Sequence, residues 1–105
     1  MEELTEVQIN HNKAIRGVII RSLVKGFNNT LYVKQITNML VTNFMILTPD
    51  IGKYLAYLVD SGYIEFVNDK KTNAYNAYMR DGIIRLTRKG VDLVEGTIED
   101  PGVDI

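Results

Sequence analysis

The chain has 105 residues, 46% of them hydrophobic, which allows one domain with a modest core. It has no cysteine and a single histidine, His11, so disulfides, thiolate nucleophiles and Cys/His zinc sites are excluded. The net charge of −1 hides an asymmetry. All twelve lysines and arginines lie between Lys13 and Lys89, and residues 7–91 hold only five acids, so the body carries +7 while the two ends carry −8. No apolar run reaches the ~18 residues of a membrane span, and the acidic start MEELTEVQ is not a signal peptide. A cytoplasmic protein without membrane contact is expected.

The first periodic segment covers roughly 9–25, with Ile15, Val18, Ile19 and Leu23 at helical spacing. Thr5 with Gln8 three residues on can form a capping box, Asn10 is a competing cap, and Gly26 fits a C-terminal stop. After the turn-like FNNT, Thr30 can cap LYVKQITNMLV, with Val33, Ile36 and Leu40 as the buried stripe. TNFMI reads as a connecting loop.

The third helical segment is LTPDIGKYLAYLVDSGY. Thr48 suits the N-cap, Pro49 the first helical position, and Asp50 the positive end of the dipole. Ile51, Leu55 and Leu58 form its apolar face, with Val59 as a further candidate, and Gly62 marks its end. Asp50, Lys53, Ala56, Tyr57 and Asp60 look outward, with Tyr54 on the flank.

The period then changes to two in YIEFV. A polar stretch, NDKKTNAYNAY, leads to Asp81-Gly82, a hairpin dipeptide that would fold Met79–Arg80 back on Ile83–Ile84. Thr87 caps a short last helix, Arg88 to Glu95. Residues 6–96 form the folded body, and 97–105 an acidic, extended or loosely docked tail.

The predicted order is therefore three helices, a strand, a long turn, a strand and a short helix. This is a mainly α fold with a small antiparallel hairpin, the order of a winged helix-turn-helix, in which the third helix reads the DNA major groove and the hairpin is the wing. LAYLVDSGYI is similar to the helix-to-wing junction of winged-helix regulators, and IRLTRKG to their wing-to-last-helix joint, as in the MarR, PadR and ArsR groups. LTRKGVDLVEGTIEDPGV resembles the ending of small ArsR-like winged-helix proteins of Mu-like bacteriophages, through Leu86, Thr87, Gly90, Asp92, Gly96, Pro101, Gly102 and Val103. The resemblance covers about half of the chain and implies a phage or prophage setting. The wing is longer than in that group.

Candidate DNA contacts are Thr48, Asp50, Lys53, Tyr54 and Tyr57 on the third helix, Lys70, Lys71 and Arg80 on the wing, and Arg85 and Lys89 at the last joint. Asp50 can accept from a cytosine amino group, and the tyrosines can donate to phosphate. Wing cations interleaved with Tyr75 and Tyr78 suit a phosphate backbone or minor groove. Plainer readings stand beside these. The helix face holds one cation against two acids and suits a protein contact, because tyrosine is common at interfaces. The wing reads equally as a flexible, solvated tip. Arg88 and Lys89 sit where the helix dipole disfavours cations and are expected to pair with Asp92 or Glu95.

No Ser–His–Asp grouping, P-loop or GxGxxG occurs, and His11 has no second ligand in register, so no enzyme, metal site or cofactor is expected. The leading expectation is a homodimeric DNA-binding regulator that binds double-stranded DNA, paired through helix 1 and the tail. The alternative is an interaction module for a phage protein partner, without DNA. A third possibility folds the acidic tails over the basic body until DNA displaces them.

Overall fold

The computed structural model describes residues 5–105, and Glu2 and Glu3 of the acidic start lie outside them. Its elements are α1 (Glu6–Val24), β1 (Thr30–Tyr32), α2 (Val33–Thr42), α3 (Gly52–Asp60), β2 (Ile64–Phe66), β3 (Ile83–Leu86) and α4 (Arg88–Glu95). Four helices and one small antiparallel sheet, in strand order β1-β3-β2, make an α+β fold.

α1 starts a turn earlier than its periodicity suggested, because Thr5 and not Asn10 caps it. Thr5 Oγ1 accepts from the Gln8 amide at 3.1 Å, and Gln8 Oε1 accepts from the Thr5 amide at 3.0 Å. Ile15, Ile19 and Leu23 then face a core shared with Ile36 and Leu40 of α2, Leu55 and Leu58 of α3, and Ile84 of β3. Gly26 is not a left-handed stop. Its φ is −78°, and its missing side chain instead leaves room for the Thr30 carbonyl.

The largest departure is at Thr30. Instead of capping α2 it opens β1, which pairs with β3 in the register Thr30↔Arg85, Leu31↔Ile84, Tyr32↔Ile83. Asn28 and Asn29 take left-handed backbone (φ 54° and 58°) and turn the chain, so the extended TLY can add to the sheet. The Thr30 hydroxyl donates to the Phe27 carbonyl at 2.6 Å, and α2 begins at Val33 with the Gln35 side chain accepting from the Tyr32 amide at 2.9 Å. The extra strand therefore comes from before α2. Met79–Arg80 form none, because the Gly82 amide closes back on the Ala77 carbonyl at 2.8 Å.

α3 begins at Gly52, later than Thr48 and Pro49 suggested. Ile46 and Ile51 are both held in the core, and the exposed residues between them span that gap as bends. Asp50 serves the helix start by accepting from the Gly52 amide at 3.3 Å. α3 ends as predicted on Gly62 (φ 84°), where the Gly62 amide bonds Val59 O at 2.9 Å and the Tyr63 amide bonds Leu58 O at 3.0 Å. α4 ends the same way on Gly96 (φ 82°). α2 also ends the same way, but on Phe44 (φ 56°), with Phe44 N to Val41 O at 3.1 Å and Met45 N to Leu40 O at 2.9 Å.

The joint between β3 and α4 has the predicted build. Thr87 Oγ1 accepts from the Gly90 amide at 3.1 Å and donates to the Gly62 carbonyl at 2.5 Å. Leu86 is buried, and Gly90 lies so close to the Tyr63 carbonyl that a side chain there would collide with it.

The C-terminal segment packs on the body. Val103 is buried, the Asp104 amide donates to Lys13 O at 3.1 Å, and Arg16 and Arg21 donate to the Gly102 and Asp104 carbonyls at 3.0 and 2.7 Å. Gly17 makes this possible, since a Cβ there would meet the Asp104 carbonyl.

Candidate nucleic-acid interface

The loop between β2 and β3, residues 67–82, carries the cations expected of a wing, and its polar residues build it. Asp69 Oδ1 accepts from the Lys71 amide at 2.9 Å, and Asn73 Oδ1 accepts from the Tyr75 and Asn76 amides at 2.9 and 3.2 Å. Asn76 Oδ1 accepts from the Asn73 amide at 2.8 Å, and Asn76 Nδ2 donates to Lys71 O at 3.2 Å. Asn68 accepts from the Ile83 amide at 3.0 Å and donates to Asp81 O at 3.2 Å, tying both ends of the loop. Ala77 and Thr72 are buried within it. The asparagines of this stretch act as turn-forming side chains, while Asn68, Asn73 and the lysines remain exposed.

Four cations gather there. Arg80 pairs with Asp69, and Lys34, at the start of α2, pairs with Asp81 at 2.7 Å and lies 5.6 Å from the Tyr78 ring centre. The Lys71 amide and then Arg80 hold the Asp69 carboxyl below its usual range, and Asp81 raises the Lys34 ammonium. Lys70 and Lys71 are exposed, and no ion pair reaches them among the described residues. Both ion pairs are exposed, where solvent screening keeps such bridges weak.

α3 differs from its predicted outward face. Tyr54 is buried, and its hydroxyl donates to Asn12 Oδ1 at 3.3 Å. Tyr57 is half-buried, with the Arg16 guanidinium stacked 3.6 Å from its ring centre and Gly102 against its hydroxyl. Helical spacing within α3 gave no warning that α1 and the C-terminal segment cover these tyrosines. Thr48, Asp50, Lys53 and Asp60 are exposed, which leaves one cation on that face.

Of the cations around Thr87, Arg85 and Lys89 are engaged locally, whereas Arg88 is exposed and pairs with neither Asp92 nor Glu95. Arg85 lies opposite Glu65 in the β2–β3 register and pairs with it. Lys89 does not pair with Asp92 or Glu95. It donates to the Ser61 carbonyl at 2.9 Å, where a cation meets the negative end of α3, and lies 5.2 Å from the Tyr63 ring centre. The structure thus brings Lys70, Lys71 and Arg80 together, and sets Lys53, Arg85 and Lys89 elsewhere.

Sequence reasoning missed Lys34, because its approach to the loop follows from the unforeseen strand β1. It also missed the apolar surface beside α3. Phe44 is 86% exposed and Leu47 87%, at the lip of a cleft of about 650 Å³ walled by Val7, Met45, Ile46 and Tyr54. Phenylalanine and methionine in a loop bounded by two helices were the available signal.

Among the described residues, no helix is long and apolar enough to cross a membrane. No protein-family model, curated protein or solved structure matches the chain.

Proposed function

We propose that this chain is a winged helix-turn-helix protein that binds double-stranded DNA, acts as a homodimeric regulator, and grips the duplex chiefly through its wing. The observation that carries this reading is the cation cluster at loop 67–82, formed by Lys70, Lys71 and Arg80 of the loop and Lys34 of α2. The element order supports it: α3 runs directly into β2, the loop follows, and β3 lies between β2 and β1. Such a wing suits phosphate contacts more than base reading, and α3 with one exposed cation adds little to the approach. The phage or prophage setting rests only on the likeness of LTRKGVDLVEGTIEDPGV to phage winged-helix proteins.

The test is duplex binding by fluorescence anisotropy across a salt series. The expected result is an affinity that falls steeply with salt, and a double variant Lys70→Glu/Lys71→Glu whose log–log slope is shallower by about 2. Absence of binding to any duplex at low salt overturns the proposal.

A second reading is favoured by the exposed apolar residues around α3: a winged helix serving as an interaction module without DNA. Its signature is association that persists in high salt together with no duplex binding in low salt.

A further inference from the structure

We infer that the surface around Phe44 and Leu47 is the contact between two copies of this chain. The inference rests on the homodimer of the proposed function and places its interface. Phe44 occupies the residue after the α2 cap, where α3 and α4 use Gly62 and Gly96, and it takes the same left-handed backbone at φ 56°. Glycine adopts that conformation freely, and a bulky L-residue is an outlier there. The ring is then directed into water, so the isolated chain gains neither conformation nor burial from it.

The neighbourhood supplies what a second copy needs. The cleft beside Phe44 and Leu47 is lined by the apolar Val7, Met45 and Ile46 and by the polar His11, Asp50 and Lys53. Across Asp50 a second concavity is lined by Pro49, Tyr75 and Met79. Val7, Tyr75 and Met79 are 77%, 78% and 81% exposed. With about 150–250 Å² for each aromatic ring, Phe44 and Tyr75 alone present roughly 240–400 Å² of the roughly 800 Å² per partner of a stable interface, and Leu47, Val7 and Met79 add to it.

A two-fold contact uses the same patch on both copies, and here projection and cleft lie side by side, so each Phe44 can enter the other copy's cleft. Asp50 and Lys53, both exposed and both lining the cleft, provide opposite charges that can meet across the axis. The competing surface, α1 with the C-terminal segment, is occupied within one chain: Val103 is buried there, and Arg16 and Arg21 are bonded to Gly102 and Asp104.

The experiment is sedimentation equilibrium of the full chain, wild type against Phe44→Asn and Leu47→Asn, with duplex binding measured on the same samples. Asparagine tolerates left-handed backbone, so Phe44→Asn keeps the fold. The expected result is a wild-type dimer, with self-association weakened about 30-fold by Phe44→Asn, as when a central interface aromatic is lost. Lys70→Glu/Lys71→Glu should leave the mass unchanged while reducing duplex binding, which separates failure of the interface from failure of the DNA reading. A wild-type chain that stays monomeric at several hundred (~) micromolar overturns the inference, and so does a dimer that neither substitution weakens.

Discussion

α2 and α3 end with the same pair of backbone hydrogen bonds, one closing on Phe44 and the other on Gly62. Around Gly62 the whole environment serves the fold. Its carbonyl receives the Thr87 hydroxyl, the neighbouring Ser61 carbonyl receives Lys89, and the chain enters β2 within two residues. Around Phe44 the next helix is eight residues away and the ring touches solvent. One turn geometry thus joins core elements in one place and displays a side chain in the other. Where a residue contradicts its backbone without gaining burial, a role outside the monomer is the physical explanation to test.

The largest effect is expected from reversing the residue types. Gly62→Val forces a β-branched residue to φ 84° and should lower stability by about 2 kcal/mol in urea denaturation. Phe44→Gly should act in the opposite direction and raise monomer stability by roughly 1 kcal/mol, measured at concentrations below any self-association. If Phe44→Gly destabilises the monomer instead, the ring contributes to the fold, and the contrast between the two ends collapses.

Much of this architecture was legible because local chemistry decided it. The Thr5–Gln8 box, the Gly62 stop and the Thr87 cap each depend on a few adjacent residues, and each is present. The α2 stripe of Val33, Ile36 and Leu40 is buried for the same reason, since helical spacing alone sets it. Thr30 and Thr48 misled because a good capping residue also suits a strand or a bend. What placed them was pairing with β3, more than fifty residues away, and the anchoring of Ile46 and Ile51. Among the candidate contacts, Lys70, Lys71 and Arg80 share a loop because they are close in sequence. Tyr54 and Tyr57 were misplaced because their cover comes from α1 and from residues 100–102, which no local pattern links to α3.

The smallest effect at neutral pH concerns Tyr63, the residue that follows Gly62 and ties this helix end to the C-terminal segment. Its hydroxyl donates to Asp100 Oδ2 at 2.5 Å, and Asp100 Oδ1 accepts from the Gly102 amide at 2.7 Å. Burial first, and the Asp100 carboxylate second, push the Tyr63 phenol up to about 12. The phenol's donated bond, and then the Gly102 amide, hold Asp100 below its usual carboxylate value. A raised phenol stabilises the fold fully below its ordinary value of 10.0, and that contribution disappears as pH climbs through 12. A lowered carboxyl acts at the other end: its contribution is present above 3.8 and disappears as pH falls through the folded value. The segment should therefore stay docked across the neutral range and loosen only at both extremes. Phenolate absorbance should show one of the six tyrosines ionising near 12. Asp100→Ala should bring that ionisation down without returning it to 10.0, because the burial remains. Ionisation of Tyr63 near 10.0 would mean that it is not enclosed and that this end of α3 is as open as the end at Phe44.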